Sequence, residues 1–215
     1  MQNISKYTFT ATFAVPCDSP NIYESKALKL YLNSYNHTPF DSIEEAKETL
    51  TKDLSQATGS TVNVTMNPPT HFSNLALDKM PGINLDLLDI SCNTYEVEPT
   101  YLGNDPTQLV SETVYSHLFK SNCPITHQPD WASVIISYSG PQISQAGLLR
   151  YLVSYRHHNE FHEHCCERIF TDILHYCKPE KLSVDLHFTR RGGIDINPYR
   201  STENRSPSRD RLWRQ

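Results

Sequence analysis

Cys123 and Asp130 stand seven residues apart in the stretch Cys123-Pro124-Ile125-Thr126-His127-Gln128-Pro129-Asp130. One proline follows the cysteine and another precedes the aspartate. Proline lacks an amide donor and restricts the residue before it, so the stretch reads as a shaped loop rather than a helix. A bent loop can bring the carboxylate back to the thiol. A thiol with an ordinary pKa near 8.5 needs a neighbour to take its proton before it acts as a nucleophile. A carboxylate can take that proton and later return it. Free cysteine is also among the most buried residue types, so the pair alone fits both a catalytic and a core reading.

Three other clusters carry polar chemistry. His158-Asn159-Glu160-Phe161-His162-Glu163-His164-Cys165-Cys166 is dense in potential ligands, but its order is H-x-E-x-H and not the H-E-x-x-H of a helical zinc site. No third ligand is marked elsewhere, and no metal is expected. Tyr23-Glu24-Ser25-Lys26 opens a helix, where a glutamate suits the dipole and where Ser25, Lys26 and exposed amides could hold a phosphate. Thr189-Arg190-Arg191-Gly192-Gly193 follows a strand and could wrap an anion, or be a basic hairpin turn. None of the seven glycines forms G-x-G-x-x-G or a P-loop, so a nucleotide would not be held in the Rossmann manner.

The elements that position these clusters fall into a diverged repeat. Leu30-Tyr31-Leu32-Asn33-Ser34-Tyr35-Asn36-His37 matches Arg150-Tyr151-Leu152-Val153-Ser154-Tyr155-Arg156-His157 at an offset of 120. The same offset sets Ala46, Leu50 and Leu54 opposite Cys166, Phe170 and Leu174. It also sets Glu24 against Ser144 and Glu163 against Ile43. Two copies of one module are expected, each with two helices followed by strands. The first helix, around Ala27, Leu28, Leu30, Tyr31, Leu32 and Tyr35, reads as well buried. Asp41-Ser42 caps a second helix from Ile43 to Ala57. In the second copy a break is expected near His157 to Asn159, and Lys178-Pro179 stops the last helix. Tyr7, Phe9, Ala11, Phe13 and Val15 alternate as a half-buried strand. Further strands are expected at Thr113 to Phe119, Ser133 to Tyr138 and Ser183 to Thr189.

The chain has 215 residues, 38% of them hydrophobic, which suits a folded protein with a substantial core. A net charge of −5 and a pI near 6.0 give no basic face for a nucleic-acid partner. No apolar run is long enough to span a membrane. The six cysteines include the adjacent Cys165 and Cys166 and no C-x-x-C, which reads as reduced thiols in a cytoplasm.

Taken together, these residues resemble the QueF family, the NADPH-dependent nitrile reductases of queuosine biosynthesis, a tRNA modification. The resemblance rests on Glu24-Ser25-Lys26-Ala27-Leu28-Lys29-Leu30-Tyr31, on Cys123 with Asp130, on His162-Glu163, and on Arg190-Arg191-Gly192-Gly193-Ile194-Asp195-Ile196-Asn197-Pro198. It implies an α+β fold of two tandem tunnelling-fold (T-fold) modules, residues 1–110 and 111–215, each an antiparallel sheet with a pair of helices on one face. The signature follows 23 residues, fewer than in two-module members, so a shortened first module is expected. The implied reaction reduces the nitrile of 7-cyano-7-deazaguanine to the aminomethyl group through a cysteine thioimidate. The resemblance assigns Cys123 as nucleophile and Asp130 as proton donor. It assigns Tyr23, Glu24, Ser25, His162 and Glu163 to the substrate, and Ser25, Lys26, Arg191 and Gly192 to NADPH. On that map Arg191 is needed for the cofactor and not for the thioimidate. The implied partners are this small molecule and a second copy of the chain, with no direct nucleic acid and no membrane. The residues alone also admit a cysteine hydrolase using Cys123, His162 and Asp130, or a truncated T-fold protein that binds a purine-like ligand without turnover.

Overall fold

The computed structural model describes residues 9–35, 38–67, 80–205, 207, 211–212 and 215. Contacts divide the chain into two compact units, Met1–Ala76 and Leu77–Gln215. The resemblance implies a boundary at 110/111. Residues 77–110 fall with the second unit because Leu85 (0% exposed) and Leu102 (6%) are buried in its core.

The first unit runs β1 (Thr10–Ala14), α1 (Ser25–Ser34), α2 (Ile43–Thr58) and β2 (Asn63–Asn67). Strands β1 and β2 pair antiparallel, with Phe13 opposite Val64. Tyr7 and His37 lie outside the described residues. Helix α2 begins where expected: Ser42 Oγ accepts from the Glu45 amide, and Glu45 Oε2 accepts from the Asp41 amide. It ends at Gly59, whose φ of 72° only a glycine adopts cheaply. Ala46, Leu50 and Leu54 are buried along one stripe. Helix α1 is not the well-buried helix the sequence suggested. Only Leu28 is buried, and Leu30 is 74% exposed. The two-stranded sheet takes α2 and offers too little apolar surface to cover both helices of the unit.

The second unit is α+β as expected. Its five-stranded sheet has the order β3-β4-β5-β6-β7. These strands are Ile83–Asn84, Asn104–Asn122, Pro129–Ile143, Lys181–Phe188 and Tyr199–Ser201. The pairing is antiparallel except for the short β3, which runs parallel to β4. Helices α3 (Gln145–Ser154) and α4 (His162–Cys177) pack on one face. There Val134, Ile136, Val184, Leu186 and Phe188 meet Leu148, Leu152, Cys165, Ile169 and Ile173. Alternation along the strands turns Ser133, Ser137, Asp185 and His187 to the opposite face. Strand β4 is longer than the expected Thr113 to Phe119. Its first part contains Pro106, a register irregularity between Asp105 and Leu109, and exposed polar residues, so no alternation marks it.

The repeat is real and slightly out of register. Helices α1 and α3 correspond at an offset of 120, but α2 and α4 correspond at 119. The buried row Ala46, Leu50, Leu54 therefore matches Cys165, Ile169, Ile173, one residue earlier than the sequence alignment gave. On the same register Glu163 matches Glu44 rather than Ile43. One residue is missing from the connection between the second pair of helices. A shared polar motif confirms the correspondence. Tyr31 donates to Asp53 and touches Tyr35, as Tyr151 donates to Asp172 and touches Tyr155, all over 2.7–2.8 Å.

Candidate active site

Cys123 and Asp130 sit at the tip of the β4–β5 hairpin. Ser121 pairs with Asp130 and Asn122 with Pro129, so the ladder runs up to the loop. The Cys123 amide donates to the Gln128 carbonyl (2.9 Å), and the His127 amide donates to the Cys123 carbonyl (2.9 Å). His127 has φ 54°, the left-handed step that lets so short a loop close. Cys123 is 7% exposed and Asp130 3%.

Two cationic or ionisable partners from distant elements converge on Asp130. Arg191 Nη1 donates to Oδ1 over 2.6 Å, and His162 Nε2 lies 3.2 Å from Oδ2. His162 is the first residue of α4 and stacks on Phe188 of β6 with ring centroids 3.8 Å apart. The connection before α4 is tied to the end of β4: the Asn122 amide donates to His158 O, and the Glu160 amide to Asn122 O. Arg191 stands in a tight turn closed by reciprocal amide bonds with Ile194, made by Gly192 (φ 57°) and Gly193 (φ 85°). Its Nη2 donates to Gln128 Oε1 over 2.5 Å.

The electrostatics follow from this geometry. Burial works to raise the Asp130 pKa, but the hydrogen bonds from His162 and Arg191 outweigh it and hold the group below the usual carboxylate range. Burial also works to lower the Arg191 pKa, and contacts with Asp130 and Cys123 hold it above the usual value instead. Asp130 is therefore held as an anion at the tip of the hairpin that carries Cys123. Arg191 places a positive charge beside the Cys123 thiol. Cys165, by contrast, is fully buried, and burial pushes its thiol up to about 12. Among the described residues no group of three metal-binding side chains converges. In the stretch 158–166 His162 faces Asp130 while His164 turns to Glu160 (3.1 Å).

Cys123, Asp130, His162 and Arg191 are thus gathered, with Glu163 half-buried in the first turn of α4 and Gly192 beside Arg191. Tyr23, Glu24, Ser25 and Lys26 lie at the start of α1 in the first unit. Glu24 caps that helix: Oε2 accepts from the Lys26 amide (2.9 Å) and the Ala27 amide (3.0 Å), and Oε1 lies 3.3 Å from Lys26 Nζ. Burial works to raise its pKa, and the amide bonds and Lys26 lower it below the usual value. The two amides are thereby taken by a carboxylate, and the Ser25 hydroxyl (3.4 Å) and the Lys26 ammonium also donate to Glu24 Oε1. Gln128 and Phe188 escaped the sequence reading. Gln128 lay inside the loop already singled out, and Phe188 is indistinguishable by pattern from its core neighbours.

The family model described as "Nitrile reductase, 7-cyano-7-deazaguanine-reductase N-term" matches residues 6–66, and that described as "QueF-like protein" matches residues 129–207. The chain is 54% identical over 191 residues to the NADPH-dependent 7-cyano-7-deazaguanine reductase of Dechloromonas aromatica, covering 89% of this chain and 68% of that protein. It is 53% identical to the enzyme of the same name from Burkholderia lata (90% and 71% covered) and 51% identical to that from Burkholderia multivorans (95% and 76% covered). A crystal structure of an archaeosine synthase QueF-Like in the apo form aligns with TM-score 0.38 and 19% identity, over 43% of this chain and 91% of that one.

Proposed function

This chain belongs to the QueF family of 7-cyano-7-deazaguanine reductases, and we propose that Cys123 and Asp130 carry out the chemistry of that reaction. It is an NADPH-dependent oxidoreductase of queuosine biosynthesis that reduces the nitrile of 7-cyano-7-deazaguanine to the 7-aminomethyl compound. The observation that supports the residue roles is the anionic Asp130, buried at the tip of the same hairpin as Cys123 and clamped by His162 and Arg191.

Cys123 Sγ adds to the nitrile carbon, one C–N π bond opens, and a thioimidate forms. The thiol proton passes to Asp130 and from there to the nitrile nitrogen. After the first reduction the S–C bond breaks, the pair returns to Cys123 sulfur, and an imine remains for the second reduction. Two NADPH molecules, bound in turn, would supply one hydride each, with the remaining protons on nitrogen coming from solvent. The residues present fit such an anionic cofactor by charge. Lys26 has a partly exposed ammonium, and the Arg191-Gly192-Gly193 turn has open space beside Gly193. We assign Ser25, Lys26, Arg191 and Gly192 to it, and Tyr23, Glu24, Ser25, His162 and Glu163 to the substrate, whose ring N–H and amino donors suit carboxylates.

A homodimer, acting in a cytoplasm without direct nucleic-acid contact, completes the reading. The outer edge of β4 supports the dimer: among the described residues β3 pairs only with Val114 and Tyr115 of β4, and Leu109 beyond is 73% exposed. Light scattering tests it. Among the described residues no helix is long and apolar enough to cross a membrane.

The deciding experiment is absorbance loss of NADPH with 7-cyano-7-deazaguanine, alongside intact-protein mass without NADPH. Wild type gains one substrate mass and Cys123→Ala gains none. An adduct that persists in Cys123→Ala removes Cys123 from the mechanism.

A further inference from the structure

Gln128 joins the two halves of the reactive pair. Its backbone carbonyl accepts from the Cys123 amide (2.9 Å), while its side-chain oxygen accepts from Arg191 Nη2 (2.5 Å). The other terminal nitrogen of Arg191 donates to Asp130 (2.6 Å). A guanidinium is planar, so two anchors on its two terminal nitrogens fix both its position and its plane. Without the Gln128 acceptor Arg191 keeps its contacts with Asp130 and Cys123, but a side chain 32% exposed on a long flexible stem can then tilt its plane toward water. Gln128 itself is held by the amide bond from Cys123 and by Pro129, which restricts the backbone of the residue before it. The chemistry of the side chain also matters. A neutral amide anchors Arg191 without drawing its charge from Asp130, whereas a carboxylate at 128 would compete for it.

We propose that Gln128 is a positioning residue for the nitrile-addition step, holding Arg191 against Asp130 and so fixing this carboxylate at the hairpin tip that carries Cys123. The proposal rests on Cys123 and Asp130 being the catalytic pair. It also makes Arg191 part of the cofactor-free step, which the sequence reading did not expect. The charged and titratable groups facing Asp130 are Arg191 from the turn after β6, His162 from the start of α4, Lys120 from β4, Cys123 beside it in the hairpin, and Cys165 from within α4.

The test uses Gln128→Met, which keeps side-chain length and the backbone bond but removes the acceptor. The rate of adduct formation with the nitrile, without NADPH, is followed by mass against pH. Gln128→Met is expected to slow it about tenfold or more at neutral pH, the scale of a small misplacement of reacting groups. The acid limb should move to higher pH as Asp130 loses part of its positive partner. Adding Gln128→Met to Asp130→Asn should then slow the reaction no further, because Gln128 acts through Asp130. A wild-type rate and limb in Gln128→Met overturns the proposal, and so does a full multiplicative loss in the double variant. If wild type forms no adduct at all, the catalytic assignment fails first. The clamp is then tested by the pH dependence of Cys123 labelling with iodoacetamide. A curve identical in wild type and Gln128→Met removes the clamp, and a curve moved to higher pH in Gln128→Met retains it.

Discussion

His162 lies flat against Phe188, with ring planes 19° apart, and that stack aims Nε2 at Asp130. The aromatic is therefore both core and support for the reactive carboxylate. Phe188→Leu should keep most of the burial and lose the flat face. We expect a stability loss of about 1 kcal/mol in urea unfolding, typical of a hydrophobic swap with imperfect volume. The adduct rate should fall by more than that stability loss explains. An unchanged rate would leave the stack as packing only.

Asp130 also makes a prediction about stability against pH. Its folded pKa is depressed below an unfolded value of about 3.9. The stability it contributes is then fully present above the unfolded pKa and is lost as pH falls through the folded one. Asp130→Asn lacks this dependence. The stability gap between wild type and Asp130→Asn should be constant near neutral pH and shrink below about pH 4. Urea unfolding at a series of pH values checks it, and a gap that widens in acid contradicts it.

Lys26 and Arg191 should separate by step. Lys26→Ala should raise the KM for NADPH and leave cofactor-free adduct formation near the wild-type rate, because its ammonium is assigned to the cofactor and its ion pair is with Glu24. Arg191→Ala should impair both, since Asp130 loses its closest cation. Single-turnover mass kinetics with and without NADPH distinguish the two. Equal behaviour of both variants would contradict the division.

The duplicated tyrosine pairs should differ in cost. Tyr151 is fully buried and its partner Asp172 is half-buried, whereas Tyr31 lies in the less covered first unit. Burial first, then the neighbouring Tyr155 and Asp172, hold the Tyr151 phenol far above its usual pKa. Tyr151→Phe should cost about 1–3 kcal/mol by stranding a buried acceptor, and Tyr31→Phe less. Thermal unfolding of the two variants tests the order.

Much of this was legible because the chain repeats itself. The Tyr-x-x-x-Tyr pair marked both first helices, Ser42 and Lys178 marked where helices start and stop, and two prolines marked the hairpin tip. The misreadings have physical causes. A one-residue loss in a polar connection leaves no trace in hydrophobic pattern, so Ala46 was matched to Cys166 instead of Cys165. The outer half of β4 has no buried face and hence no alternation. The exposure of Leu30 depends on how much sheet is available to cover it, which no local window records. Gln128 and Arg191 are 63 residues apart, and only the pairing of β5 with β6 makes them neighbours.

The hairpin that carries Cys123 and Asp130 also sets how the site can move. Cys123 and Asp130 ride on the two arms of one ladder, closed by the Cys123 amide bond to Gln128. Separating them requires that end of the ladder to fray, and fraying exposes backbone amides to exchange with solvent. Reactivity and amide protection at Cys123 should therefore rise and fall together. A solvent or temperature that leaves the fold intact yet loosens this tip would silence the enzyme first.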